Sequence, residues 1–385
     1  MNKNPFSLQI DPSMFEPANP EEKKELIIPR KSISFWQDVW KRLRKNPTAM
    51  AGLVLIIILM LFAFAGPFII PYKYDEQVRG HENLRPMQTP EERASIKEAK
   101  PKVKNRSEEF AYDFATSPNT DTAETAAAET VAEETKVAEE FFPHILGTDS
   151  LGRDNLVRLM YGSRISLIVG IIASIIILII GSTYGAFSGF IGGKTDNVMQ
   201  RIIELLYAIP DILIVILLSI VLKEPMAQLF ARSTIMSKLT GIGPGLLSMF
   251  ITFALLYWVG MARIVRGQVL QLKEQEFILA AQALGANSGR VIFKHLIPNC
   301  IGPIIVTTMF QIPSAIFVES FLSFIGLGIS APMASLGSLA NDALAGIQTY
   351  PYMLAQPAIM IAIIILAFNL LGDGLRDSLD PRMKK

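Results

Sequence analysis

The chain has 385 residues, half of them hydrophobic and only 18% charged, below the roughly 25% charge of an average soluble chain. Its 36 Lys and Arg nearly balance 35 Asp and Glu, so the basic excess of a nucleic-acid binder is missing and no nucleic-acid partner is expected. One cysteine, Cys300, and three scattered histidines exclude a disulfide framework and a Cys- or His-built metal centre.

Residues 1–34 are polar and interrupted by Pro5, Pro12, Pro17, Pro20 and Pro29, which predicts a loose cytoplasmic tail. In 35–48, Phe35, Trp36, Val39, Trp40 and Leu43 share one helical face, with Lys41, Arg42, Arg44 and Lys45 elsewhere. That pattern predicts an amphipathic helix lying in the interface of a lipid membrane. The uncharged run 49–70 exceeds the ~20 residues needed to cross a hydrocarbon core of about 30 Å. It therefore predicts a first transmembrane helix over 49–71, too long for the apolar region of a cleavable signal. Residues 72–143 are polar, and their second half is an Ala- and Glu-rich stretch without an apolar face. The expectation there is an extracytoplasmic insert, partly disordered and without a packed core.

Uncharged runs recur at 165–193, 239–262, 296–318 and 343–372, and 202–222 is apolar apart from Glu204 and the Pro210-Asp211 pair. The fold class is thus all-α and polytopic, with six transmembrane helices and a core over 144–385. The run 320–341 is also uncharged but rich in Gly, Ser and Pro. Backbone so irregular cannot face lipid, so a re-entrant or extracytoplasmic hairpin is expected there instead of a seventh span. Basic residues before the first run, between the fourth and fifth, and after the last predict N-in and C-in topology; Lys223, Arg232 and Lys238 go against it.

Ionisable residues inside spans are functional candidates. Arg201 and Glu204 stand one turn apart, a spacing at which they pair. Asp211 follows Pro210 near mid-span, where the proline kinks the helix; a pathway role and a structural role both remain open. Glu319, at the outer end of the fifth span, lines the exit or reaches interfacial water. The stretch 188–195 nearly spells a phosphate-binding loop, but Ser188 replaces its first glycine and a membrane helix, not a strand, precedes it. The chain carries no ATPase motif and is not expected to be an enzyme.

The stretch 276–299 reads EFILAAQALGANSGRVIFKHLIPN. It predicts a short helix over 277–284, a turn at Gly285-Ala286-Asn287, and a second helix running into the fifth span, with Pro298 where that span begins. A small-residue, partly apolar helix between spans suits docking into a groove on a partner. This loop resembles the E-A-A-x₃-G-x₉-I-x-L-P signature of type I importer permeases of the ATP-binding cassette (ABC) class. Ala280, Ala281, Gly285 and Pro298 match it, while Leu279 stands at the motif's Glu, His295 at its Ile and Ile297 at its Leu. The segments 144–167, 319–328 and 369–382 look like the C-type permease subunit of oligopeptide and dipeptide importers.

The resemblance implies a type I ABC permease fold in the cytoplasmic membrane of a bacterium. It implies an ATPase-coupling loop over 276–298, carried by Leu279, Ala280, Ala281, Gly285, Ala286, His295, Ile297 and Pro298. The implied partners are a homologous second permease, two ABC ATPases that bind ATP and Mg, an extracytoplasmic peptide-binding protein, and peptide as solute. No cofactor is implied for this chain. An ion-coupled secondary transporter, or an ABC permease for nickel or another small solute, is the alternative reading.

Overall fold

The computed structural model describes residues 34–92, 143–232, 243–329 and 333–379. The expected tail, the Ala- and Glu-rich part of the insert and the basic residues after 379 lie outside the described residues.

The first helix, α1 (Phe35–Leu43), is shorter than the stretch 35–48 because Asn46 starts a new one. The Asn46 side chain accepts from the backbone N–H groups of Thr48 and Ala49 at 3.1 and 3.3 Å, and Pro47 takes the first helical position, where a missing N–H costs nothing. The aromatic face of α1 divides. Val39 and Leu43 are buried, whereas Phe35, Trp36 and Trp40 stay about half exposed.

Helix α2 (Pro47–Phe64) closes with a 3-10 turn at Gly66–Phe68. Helix α3 (Asn155–Ile191) starts ahead of its uncharged run. Asp154 caps it by accepting from Val157 N at 2.8 Å, and the arginines in its first turns have partners. Arg158 pairs with Asp149 and Asp342, and Arg164 donates to the terminal carbonyls of α2, Ala63 O and Phe64 O, at 3.0 and 3.2 Å.

The expected third span, 202–222, is corrected. Proline lacks an N–H and biases its predecessor away from helix, and the chain breaks at Ala208–Pro210. It forms α4 (Gly193–Tyr207) and then α5 (Asp211–Arg232). Arg201 and Glu204 therefore belong to α4, and Asp211 is the first residue of a new helix, so the chain restarts at the proline where a kink was expected.

The fourth span is α6 (Pro244–Leu256) and α7 (Trp258–Leu272), separated at Tyr257. A short helix, α8 (Glu276–Ala283), leads through a π-helical turn at Val291–Leu296 to α9 (Ile301–Phe324). Helices α10 (Leu336–Ala343) and α11 (Pro351–Leu379) complete the described chain. Among the described residues, six segments are long and apolar enough to cross a membrane, the fourth being α6 with α7. The run 320–341 is not a seventh: α9 extends to Phe324, and the eight-residue α10 packs its Leu336, Leu339 and Ala340 inward against α3, α9 and α11.

Helix α3 is the hub, packed on α7, α9, α2 and α6, while α11 joins α2 to α9. Gly181, Gly185 and Gly189 lie against α7; small residues let membrane helices approach closely where apolar burial gives no net drive. The N-terminus of α2 and the C-termini of α3, α7 and α11 share one end with α8, the loop end. The opposite end gathers 72–92, 143–154 and α10. Residues 72–92 are packed on the chain, where a stretch without a packed core was expected. Leu84 is fully buried, and its N–H and C=O bond to Thr148 Oγ1 (2.8 Å) and Thr148 N (3.1 Å).

Candidate functional site

The loop end is built from a local sequence rule. Gly285, at φ +83°, closes α8 in a Schellman turn: its N–H donates to Gln282 O (2.9 Å), and that of Ala286 to Ala281 O (3.0 Å). Glycine reaches the left-handed region without steric cost. Asn287 then caps the next turn by accepting from Arg290 N at 2.8 Å. One side chain of α8, Ile278, is fully buried, in a cluster with Val265, Val269, Val291, Ile292 and Leu296. Apolar side chains on and just past α8 point away from the protein: Leu279 is 53% exposed, Leu284 at the cap 89%, and Phe293 beyond it 55%. Ala280 and Pro298 are exposed too, while Ala281, Ala286, His295 and Ile297 are half-buried on the supporting side. The result is a helix pinned at one residue and offering an apolar, small-residue surface.

Beneath it lies an ion pair that sequence reasoning missed. Arg266 of α7 grips Asp196 of α4 with two hydrogen bonds, at 2.7 and 2.6 Å, and Ser188 of α3 donates to the same carboxylate. The Arg266 guanidinium holds the Asp196 carboxyl below the usual carboxylate range. The signal was faint, because the partners are seventy positions apart and no local pattern links them.

A second feature runs along α9. Three clefts, of about 470, 390 and 750 Å³, meet at Gln311. The α9 residues lining them include Pro303, Val306, Phe310, Ser314, Phe317 and Phe321, spaced three or four apart on one helical face. At 1.5 Å per residue that face is ~27 Å long, close to the ~30 Å hydrocarbon thickness. Pro210, Asp211 and Tyr257 line it from the side.

Arg201 and Glu204 pair at 2.7 Å on the exposed surface of α4. Glu319 neither reaches water nor opens to an exit; it is fully buried. Its carboxyl accepts from Ser166 Oγ (2.7 Å) and Ser323 Oγ (2.8 Å), and Ser166 Oγ in turn receives Leu336 N at 3.3 Å. Glu319 thus fastens the start of α10 to α3, which is why it lies inside and not at the rim. Ser323 shares α9 with Glu319, but Ser166 is 153 positions away on α3, so no local pattern could join it to the carboxyl.

Six membrane-length segments and a displayed inter-span helix, among the described residues, are the architecture of a multi-pass membrane component. Residues 181–385 match the family described as binding-protein-dependent transport system inner membrane component. Residues 34–86 match the N-terminal TM domain of oligopeptide transport permease C. The oligopeptide transport system permease protein OppC of Bacillus subtilis (strain 168) is 38% identical over 376 residues, covering 98% of this chain and 99% of the relative. The dipeptide transport system permease protein DppC of the same strain is 39% identical, covering 95% and 92%. The OppC protein of Escherichia coli (strain K12) is 34% identical, covering 91% and 92%. The chain belongs to this family of binding-protein-dependent inner membrane components. It is a multi-pass permease component, not an enzyme, and it carries no cofactor.

Proposed function

We propose that the chain forms half of an ATP-driven import pathway for oligopeptides or dipeptides, paired with a homologous permease. The observation that carries this reading is the face of α9, where contiguous clefts extend over a membrane's thickness. The lightly packed α5, buried over only 11% of its apolar window, leaves a face for a second permease to cover. The loop end is taken as cytoplasmic, because Lys41, Arg42, Lys45, Lys273, Arg290 and Lys294 all belong to it. Both ends of the chain then lie inside. There the surface of Leu279, Ala280, Leu284 and Gly285 docks on an ABC ATPase. ATP-driven closure of the paired ATPases moves α8, and Ile278 passes that movement to α7 and the π-helical turn. An extracytoplasmic binding protein delivers peptide at the opposite end. The relatives named for oligopeptide and dipeptide transport support the solute class.

The test is ATP-dependent peptide uptake by the complex purified with its natural partners and rebuilt in proteoliposomes. A complex that moved no peptide, or one lacking ATPase subunits, would overturn the reading. Orientation is checked separately in intact cells. A cysteine at Arg79 is expected to react with an impermeant thiol reagent and one at Asp377 is not. Both positions are exposed.

A further inference from the structure

Interruptions in three helical segments meet partway along the α9 face. Helix α5 begins at Asp211 after Pro210, Tyr257 separates α6 from α7, and Pro313 lies inside α9. Pro313 brings no N–H to the carbonyl of Met309, four residues earlier. At membrane depth such backbone persists only when buried in protein or lining a cavity. Here it borders two clefts, and both are lined by the same polar residues, Asp211, Tyr257 and Gln311.

Charge narrows what those residues accept. Among the residues lining the three clefts, Asp211 and Arg376 alone carry a full charge, and Arg376 lies in the cleft towards the loop end. Among the described residues Asp211 makes no ion pair. Arg263 on α7 instead stacks over the Tyr207 ring at 4.0 Å. The Asp211 carboxylate accepts from Ile212 N at 2.9 Å, in the first turn of α5, where the helix dipole favours a negative charge. A carboxylate, a phenol oxygen and an amide carbonyl thus offer three acceptors around an uncompensated negative charge. A primary ammonium carries three donors and one positive charge.

We infer that Asp211, Tyr257 and Gln311 form a transit subsite for the α-ammonium group of the transported peptide. This rests on reading the α9 face as the pathway. Asp211 is exposed to the clefts, so its pairing is screened and worth a few-fold in occupancy at most. That strength suits passage, because a solute must be oriented without being retained.

The experiment uses the full chain in a Cys300→Ala background, assembled with its partner subunits in proteoliposomes, with trialanine as solute. Asp211→Cys is expected to lower the uptake rate by about fivefold, the scale of an exposed ion pair. Modifying that cysteine with an anionic ethylsulfonate thiosulfonate is expected to restore uptake, and the trimethylammonium reagent to leave it low. Equal recovery with both reagents, or an Asp211→Cys protein that transports at the parental rate, would overturn the subsite. Replacing sodium salts by choline separates the two cation sources: an Asp211 effect that vanished in choline would assign the site to an inorganic cation and overturn the peptide assignment. The labelling rate isolates the premise. Labelling that changes between ATP-free and vanadate-trapped complexes keeps Asp211 on the pathway even if the charge tests fail. A cysteine unreactive in every state, with normal uptake, removes pathway and subsite together.

Discussion

The two ends of the bundle are built on opposite principles. At the end formed by 72–92, 143–154 and α10, polar groups pair with one another within the chain, the buried Arg158 Nε excepted. The His144 ring is fully buried, with Nδ1 2.8 Å from Asp154 Oδ2 and Nε2 3.0 Å from His81 Nδ1. Arg158 joins Asp149 to Asp342, and Tyr352 Oη donates to Leu84 O at 3.2 Å. At the loop end, by contrast, α8 holds on through Ile278 and leaves Leu284 and Phe293 uncovered. A network whose members satisfy one another is rigid and costly to open. A helix with one anchor and an uncovered apolar surface is suited to a partner and to movement. The difference places stability at one end and coupling at the other.

The sharpest way to break the comparison is to damage the closed end. Gly152 sits at φ +73°, and an added Cβ would lie 2.3 Å from the carbonyl oxygen of Val78. Gly152→Val combines a backbone strain with a collision against main chain, and is expected to cost more than about 4 kcal/mol. The measurement is recovery of monodisperse permease complex from membranes; near-normal recovery would show that the 72–92 crossing is dispensable.

Gly285→Val tests the other end. Its Cβ would meet nothing within 4 Å, so the cost is the left-handed backbone, roughly 1–2 kcal/mol, confined to α8. The protein is expected to insert and assemble its own bundle, yet lose coupled uptake by at least about tenfold, the factor given by ~1.4 kcal/mol. Ala280→Asp, which puts a charge on the displayed surface, is expected to do the same. Uptake and substrate-stimulated ATP hydrolysis, measured together, decide it; full coupling in both variants would sink the docking assignment.

Asp196→Asn should produce a smaller loss. It removes the charge that Arg266 holds in two hydrogen bonds. With the Arg266 side chain 29% exposed, water compensates part, and the destabilisation expected is about 1–2 kcal/mol. Thermal unfolding of the purified complex reads it, and an unchanged midpoint would show that the pair does not brace the loop end.

The smallest effect is in pH. Burial first, and the neighbouring His144 second, hold the His81 pKa below its ordinary 6.5. The unfolded chain therefore takes up a proton before the folded one does. The stability His81 contributes is present above its ordinary value and is lost as pH falls towards the lowered one. Lowering the pH below about 6.5 is expected to loosen 72–92 slightly, visible as faster amide exchange there, and His81→Gln is expected to flatten the dependence.

By itself the sequence determined the all-α class, the number of membrane-length segments, the turn at Gly285 and the Arg201–Glu204 pair. Each depends on residues within a few positions of one another: a run of apolar side chains, a glycine at a helix end, two charges one turn apart. Even the family resemblance was carried by short ordered motifs. The break before Asp211 was half legible, since Pro210 marked it but nothing local said whether the helix would bend or restart. Only the tertiary structure decided that Glu319 is sealed among serines, that Asp196 answers Arg266, and that 72–92 folds back over 143–154. It also decided that one face of α9, with Asp211, Tyr257 and Gln311, borders shared clefts. Those facts depend on which helices lie side by side, and apolar helices packed in a membrane carry little in their composition to choose one neighbour over another.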